Sequence, residues 1–297
     1  MIPILFASLL ALGSGAVATP LKRQSAISAS QIASYTPYAY YAAAAYCPSS
    51  TFPNWSCGSQ CNANSGFQVI ASGGDGSDVQ NWFVGYDKTL DSIVVSHEGT
   101  NTSSLTSILS DGEAVRSALD STLFPGVPSG VSVHDGFQDA QADTATAVLA
   151  AVKKGQSTYG TNIVTVTGHS LGAAIALIDA VYLKVNLPSS TSIKMIGFGL
   201  PRVGNQDWAD YLDSTQSVTH INNKEDYVPI LPGRGLGYHH PSGEIHIQDN
   251  GDWESCPGQD NTSDLCTTGD VSNIFDGDID DHDGPYSGVL MGRSACV

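Results

Sequence analysis

Apolar positions follow two periods along this chain. Period-two alternation or short β-branched and aromatic runs predict strands at residues 67–71, 79–86, 92–96, 163–167, 193–198, 218–221 and 244–248. The second and third of these read as a hairpin around Asp87-Lys88. Helical spacing predicts a helix that starts with Thr36 as N-cap and Pro37 at its first position and runs to Tyr46. An alanine-rich helix follows at 138–154, and an apolar, small-residue helix at 171–184 reads as buried. Asn205 is the expected N-cap of a further helix between the strands at 193–198 and 218–221. Residues 249–297 read as a loop-rich tail. Strands alternating with helices predict an α/β fold with a largely parallel sheet and helices on both faces.

The first eighteen residues carry no charged side chain and end in Ala16-Val17-Ala18, a small-x-small pattern of the kind cut from secretory leaders. A membrane span needs about 20 apolar residues, and Pro3, Ser8, Gly13 and Ser14 weaken that reading here. Lys22-Arg23 resembles a dibasic processing site, so the expected division is a signal peptide at 1–18, a propeptide at 19–23 and one domain at 24–297. No later stretch is long and apolar enough to span a bilayer. Composition agrees with one globular unit: of 297 residues, 41% are apolar and 14% charged. The formal charge of −17 argues against nucleic acid as a partner, because binding a phosphate backbone needs clustered Lys and Arg.

Six cysteines, Cys47, Cys57, Cys61, Cys256, Cys266 and Cys296, fit an oxidising compartment and three disulfides with open pairing. Cys57 and Cys61 have a spacing that zinc tolerates, yet no matching Cys or His pair completes a tetrahedron. Asn54, Asn101 and Asn261 begin glycosylation sequons.

Gly168-His169-Ser170-Leu171-Gly172 is G-x-S-x-G, and it falls directly between a predicted strand and a predicted helix. A nucleophile on a tight strand-to-helix turn needs small residues on both sides. The first helical turn directs unpaired N–H groups at the site, where a developing oxyanion would be stabilised. Ser170 then requires a base, and the base an orienting carboxylate. In α/β-hydrolase sites these follow in the order Ser, acid, His. Asp226 comes after the strand at 218–221, where sheet-end loops carry functional groups, whereas Asp207, Asp210 and Asp213 read as solvated helix positions. His220 and His246 sit in strands and read as structural. His239 and His240 lie in a Gly-rich loop and could line a pocket, and His282 lies in an irregular segment suited to a loop-mounted base.

Several stretches in register resemble the secreted fungal-type class 3 lipases, a family that also contains feruloyl esterases. They are Tyr41 to Cys47, Ser96-His97-Glu98-Gly99-Thr100, Val133 to Phe137, Val166 to Gly172, Gly199 to Asn205 and Asn223 to Pro232. The resemblance covers residues 36 to 297 and implies an α/β-hydrolase fold. It makes Ser170 the nucleophile, Asp226 the triad acid and His282 the base. It assigns the oxyanion hole to the backbone of Leu171 and to Thr100, which ends an R-G-S/T-like turn. Glu98 stands where that turn has a basic residue, and Asp283-Gly284-Pro285 separates His282 from the aromatic Tyr286, both departures from the family pattern. The resemblance also implies disulfides Cys47–Cys296 and Cys57–Cys61, which leaves Cys256 to Cys266. It places a lid at 101–110, where Leu105, Ile108 and Leu109 share one helical face. Val228, Ile230 and Leu231, beside the acid, are the other expected substrate contacts.

The acidic run at 276–281 fails the EF-hand template, with Asp281 at its sixth position and Ser287 at its twelfth, and reads as a solvated loop beside His282. Its carboxylates are expected to raise the pKa of His282. The expected function is a secreted serine ester hydrolase acting on acylglycerols at a lipid–water interface as a monomer, with no cofactor and no metal. A feruloyl-type esterase, and an inactive glycoprotein using the fold to bind, are the alternatives.

Overall fold

The structure is a computed structural model in which residues 24–100 and 115–296 are described. The expected leader and propeptide at 1–23 and the expected lid at 101–110, with Asn101, Leu105, Ile108 and Leu109, lie outside the described residues. Among the described residues eleven strands occur in chain order: β1 (Ser25–Ala26), β2 (Gln68–Gly73), β3 (Trp82–Asp87), β4 (Ser92–His97), β5 (Arg116–Ala118), β6 (Ser132–His134), β7 (Ile163–His169), β8 (Ser192–Phe198), β9 (Ser217–Asn223), β10 (Glu244–Ile247) and β11 (Trp253–Cys256). Nine of them form one sheet in the order β1-β11-β10-β9-β8-β7-β4-β3-β2, and β5 pairs with β6 apart from it.

The sheet is mixed, with the expected parallel centre, the expected hairpin β3-β4 and further antiparallel strands at its edges. Its centre, β4-β7-β8-β9-β10, is parallel, whereas β2-β3-β4 and β10-β11-β1 are antiparallel. Connection length decides this. Only residues 88–91 join β3 to β4, and only 248–252 join β10 to β11, whereas a parallel neighbour needs a crossover of about a dozen residues. Strand β11 lies in the tail that read as loop.

Alternation along the strands builds two cores. Val84, Ile93, Val95, Val164, Val166 and Met195 face one side, packed against helices α3 (Asp135–Tyr159) and α4 (Leu171–Asn186). Phe83, Val94, Ile196, Phe198 and Ile221 face the other, against helix α1 (Ala29–Ala44), which precedes the short helix α2 (Ser59–Ala63). Each such buried aliphatic or aromatic side chain contributes about 1.5–3 kcal/mol. Helix α4 is buried continuously from Leu171 to Leu183, as its small, apolar sequence predicts. Asn205 caps α5 (Gln206–Thr215), its side chain accepting from the Trp208 N–H at 3.0 Å.

Helix α1 begins eight residues before its expected start. Ser28 is its N-cap, accepting from the Gln31 N–H at 3.3 Å, and Pro37 sits inside the helix. Ser28 and Gln31 have capping-box spacing, and Ile27 and Ile32 both pack on the adjoining core as a hydrophobic staple would. That signal outweighs the proline, and the Pro37 carbonyl accepts from the Asn64 side chain at 2.9 Å. Helix α3 also extends beyond 138–154 at both ends, from its His134 cap to a left-handed Gly160.

Disulfides join Cys47 to Cys296, Cys57 to Cys61 and Cys256 to Cys266. The first ties the end of α1 to the C-terminal segment, on which His282 and its neighbours reach the sheet.

Candidate active site

Strand β7 ends at His169, helix α4 begins at Leu171, and Ser170 occupies the turn between them with φ 61° and ψ −130°. A non-glycine residue held there costs of order 1–3 kcal/mol. The flanking packing fixes the turn: a Cβ at Gly168 would stand 2.3 Å from the Gly172 carbonyl oxygen, and one at Gly172 would stand 2.3 Å from that of His97. The Ser170 N–H donates to the Phe198 carbonyl at 3.0 Å, anchoring the elbow to β8.

His282 lies in a short 3-10 turn, Ile279–Asp283, and is fully buried. Its Nδ1 lies 2.8 Å from Oδ2 of the equally buried Asp226. A carboxylate accepts, so Nδ1 carries the proton and Nε2 is the free acceptor. The other Asp226 oxygen accepts from the Val228 N–H at 2.9 Å. Ser170 Oγ and His282 Nε2 are both buried and make no hydrogen bond among the described residues. The imidazole of His282 sits against the elbow, 4.5 Å between ring centroids from His169, and a Cβ at Gly199 would stand 2.9 Å from its Cε1.

Leu171 is the first residue of α4, where a helix leaves its N–H groups unpaired. Thr100 is half-buried at the end of the turn that follows β4. Glu98, two residues before it, is buried and takes the Asn81 N–H at 3.0 Å. Burial pushes its carboxyl above the usual range against the pull of Arg293. Val228 and Ile230 are buried and Leu231 is half-buried. Ile230 and Leu231 line a cavity of about 430 Å³ with Val271 and Ile274, and neither Ser170 nor His282 borders it.

His220 and His240 are buried and stacked, their ring centroids 4.7 Å apart, with Nε2 atoms on the Pro241 and Pro229 carbonyls. His240 is therefore packed away, and His239 is partly exposed beside Asp260. His246 lies 2.8 Å from the Lys224 carbonyl oxygen. Asp207, Asp210 and Asp213 are exposed. In the acidic run, Asp281 approaches Lys224 at 3.4 Å and Asp278 caps the turn that carries His282. Asn54 is exposed, whereas the Asn261 side-chain amide donates to the Pro257 carbonyl at 2.9 Å.

Sequence reasoning missed the groups that support this arrangement. Buried Arg202 pairs with Asp260 at 2.7 Å and donates to the Ile230 and Pro232 carbonyls, clamping the loop after Asp226. Tyr46 and Tyr286 hold His169 and His282 from behind. Arg293 reaches Glu98 across 195 positions of sequence, a separation that no local pattern reveals.

The family model for class 3 lipases matches residues 94–236. A secreted mono- and diacylglycerol lipase of Malassezia globosa, MDL5, is 36% identical over 229 residues, spanning 76% of this chain and 71% of that protein. A second of that description, LIP2 of Malassezia restricta, is 34% identical over 222 residues, 73% of this chain and 68% of that one. Lipase II from Rhizopus niveus superposes with a TM-score of 0.79 at 27% identity, covering 93% of this chain and all of that one. A triacylglycerol lipase whose catalytic centre is described as a serine protease triad gives a TM-score of 0.74 at 29% identity, over 91% of this chain and 99% of that one. The elbow, the buried acid–imidazole pair and these matches together make the chain a member of the class 3 lipase family and a carboxylic ester hydrolase.

Proposed function

We propose that this enzyme hydrolyses acylglycerols, mono- and diacylglycerols foremost, through an acyl-enzyme on Ser170. Ser170 Oγ attacks the ester carbonyl while His282 Nε2 takes its proton. Asp226 holds the imidazole in the required tautomer and stabilises the imidazolium that forms. The Leu171 N–H and Thr100 bind the oxyanion. His282 then protonates the leaving glycerol oxygen, and water repeats the sequence to release the fatty acid. The observation that carries this reading is the buried Asp226–His282 pair at 2.8 Å, with unpartnered Nε2 and Ser170 Oγ gathered at the elbow. The relatives named as mono- and diacylglycerol lipases support the substrate.

The enzyme acts outside the cell, which relatives named as secreted support, and the sequence patterns at Ala18 and Arg23 make these its processing sites. It works as a monomer at a lipid–water interface. Phe275, 91% exposed, stands beside Ile274 on the segment leading to His282 and supports that placement. No helix among the described residues is long and apolar enough to cross a membrane. Rates on emulsified monoolein, diolein and triolein, with methyl ferulate alongside, test the substrate. Turnover of the glycerides is expected, and preference for methyl ferulate would replace this reading with the feruloyl one. Ser170→Ala should abolish turnover.

A further inference from the structure

Tyr46 follows helix α1 and is almost fully buried. Its hydroxyl lies 2.7 Å from Nδ1 of His169, the residue before Ser170. Across that ring, Nε2 lies 2.8 Å from the backbone carbonyl oxygen of His282. A carbonyl only accepts, so Nε2 carries the proton. Burial, and then the charge that neighbouring His282 carries when protonated, hold the His169 imidazole well below the usual histidine range. The ring is therefore neutral, Nδ1 is bare, and the Tyr46 hydroxyl donates to it. The phenol oxygen also packs directly on the Gly99 backbone. Contact there is tight, since a Cβ at Gly99 would stand 2.0 Å from that oxygen. The line thus runs from Gly99 to Tyr46 by close packing, and from Tyr46 to His169 and from His169 to the His282 backbone by hydrogen bonds. One end is the turn that carries Thr100, and the other is the residue that carries the base.

We propose that Tyr46 is a positioning residue for ester hydrolysis, its hydroxyl holding the oxyanion turn and His282 in one register. This rests on the roles given above to Ser170, Asp226 and His282. Tyr286 donates to the same His282 carbonyl at 3.1 Å, so His282 keeps a support when the chain through Tyr46 is cut. Tyr46→Phe keeps the ring, removes the oxygen that packs on Gly99 and leaves His169 Nδ1 without its partner in a dry site. Both ends of the chain act on charge that develops in the transition state, so kcat falls while KM holds.

The test measures kcat and KM on p-nitrophenyl butyrate below its solubility limit for the wild type, Tyr46→Phe and Tyr41→Phe. Tyr41 is the control: it lies on α1, is buried, and spends its hydroxyl on Asp87 at 2.6 Å, at the end of β3 away from His97. In Tyr46→Phe, kcat should fall roughly 10- to 100-fold, by analogy with the outer partners of metal-bound histidines, with KM within about twofold. Its low-field His282 Nδ1 proton resonance should shift or broaden. Tyr41→Phe should lose thermal stability but retain kcat and the resonance. An unchanged kcat in Tyr46→Phe, or equal losses in both variants at equal folded fraction, overturns the proposal. Were Tyr46→Phe to misfold, His169→Gln, which cuts the same chain one link further on, must show the same split between kcat and KM. Ser170→Ala separates the two readings. Activity remaining there overturns the triad, whereas a silent Tyr46→Phe beside an inactive Ser170→Ala overturns only the positioning role.

Discussion

Arg293 closes on Glu98 from the opposite end of the chain, its Nε 3.2 Å and its Nη2 3.1 Å from Oε1 of the carboxylate. The guanidinium is largely exposed but the carboxylate is buried, and it stands two residues before Thr100. The turn thus carries a carboxylate where the family pattern has a base, and a distant arginine supplies the cation. Exposed pairs contribute about 1 kcal/mol or less. Arg293→Ala nevertheless leaves a buried carboxylate without its counter-ion. A severalfold drop in kcat on a soluble ester is expected, with a small loss of Tm. Glu98→Gln, which needs no counter-ion, should make the Arg293→Ala change nearly silent. Additive effects in that double-mutant cycle would show that the pair does not govern the turn.

Asp226→Asn keeps the shape of the acid and removes its charge. The side chain can then donate to Nδ1, which favours the wrong tautomer and puts the proton on Nε2. By analogy with the corresponding change in serine proteases, kcat should fall by roughly 10⁴-fold with KM nearly unchanged. A loss below tenfold in steady-state assays would mean that Asp226 is not the orienting acid.

Gly199 follows β8 with φ +54°, and a Cβ there would stand 2.9 Å from His282 Cε1 and 3.0 Å from the Tyr286 hydroxyl. Gly199→Ala should therefore push the imidazole away from the elbow. The expected result is at least a tenfold fall in the rate at which an organophosphonate labels Ser170, beyond any loss of folded protein. Labelling at the wild-type rate would show that His282 tolerates the displacement.

Burial holds His134, His169, His220 and His240 below the ordinary histidine value of 6.5. The unfolded chain takes up protons at these residues first as pH falls. Their contribution to stability is thus present above about pH 6.5 and is lost as pH falls from there through the depressed folded values. Tm should drop between pH 7.5 and pH 5.5, and His240→Gln, which cannot take the proton, should flatten that drop. A Tm that holds or rises over this interval, or an unaltered slope in the variant, would refute the assignment. Burial raises the carboxyls of Glu98 and Asp283, which works in the opposite sense at lower pH.

The elbow was legible because its chemistry is local. Small residues at 168 and 172 are needed by neighbours four residues away or directly across the sheet, and the β-branched run before them and the alanines after them declare strand and helix. The same holds for the alternating faces of β4, β7 and β8, and for the Asn205 cap. Helix α1 was misjudged because Pro37 is a conspicuous local signal, while the capping box at Ser28 draws its strength from the core that Ile27 and Ile32 reach.

By itself, the sequence determined an α/β chain with a strained serine between strand and helix, cysteines in an even set, and a short list of acids and histidines for the remaining roles. Choosing Asp226 and His282 from that list by spacing alone was not possible, and family resemblance had to make the choice. Tertiary structure decided the rest: the antiparallel strands β2, β11 and β1 at the sheet edges, the burial that fixes tautomers, the Arg293–Glu98 pair, and the line of contacts through Tyr46. The physical reason is range. Backbone conformation and amphipathic period are set within a turn or two of chain, whereas dielectric, ion pairing and hydrogen-bond direction depend on whichever distant segments the sheet brings together.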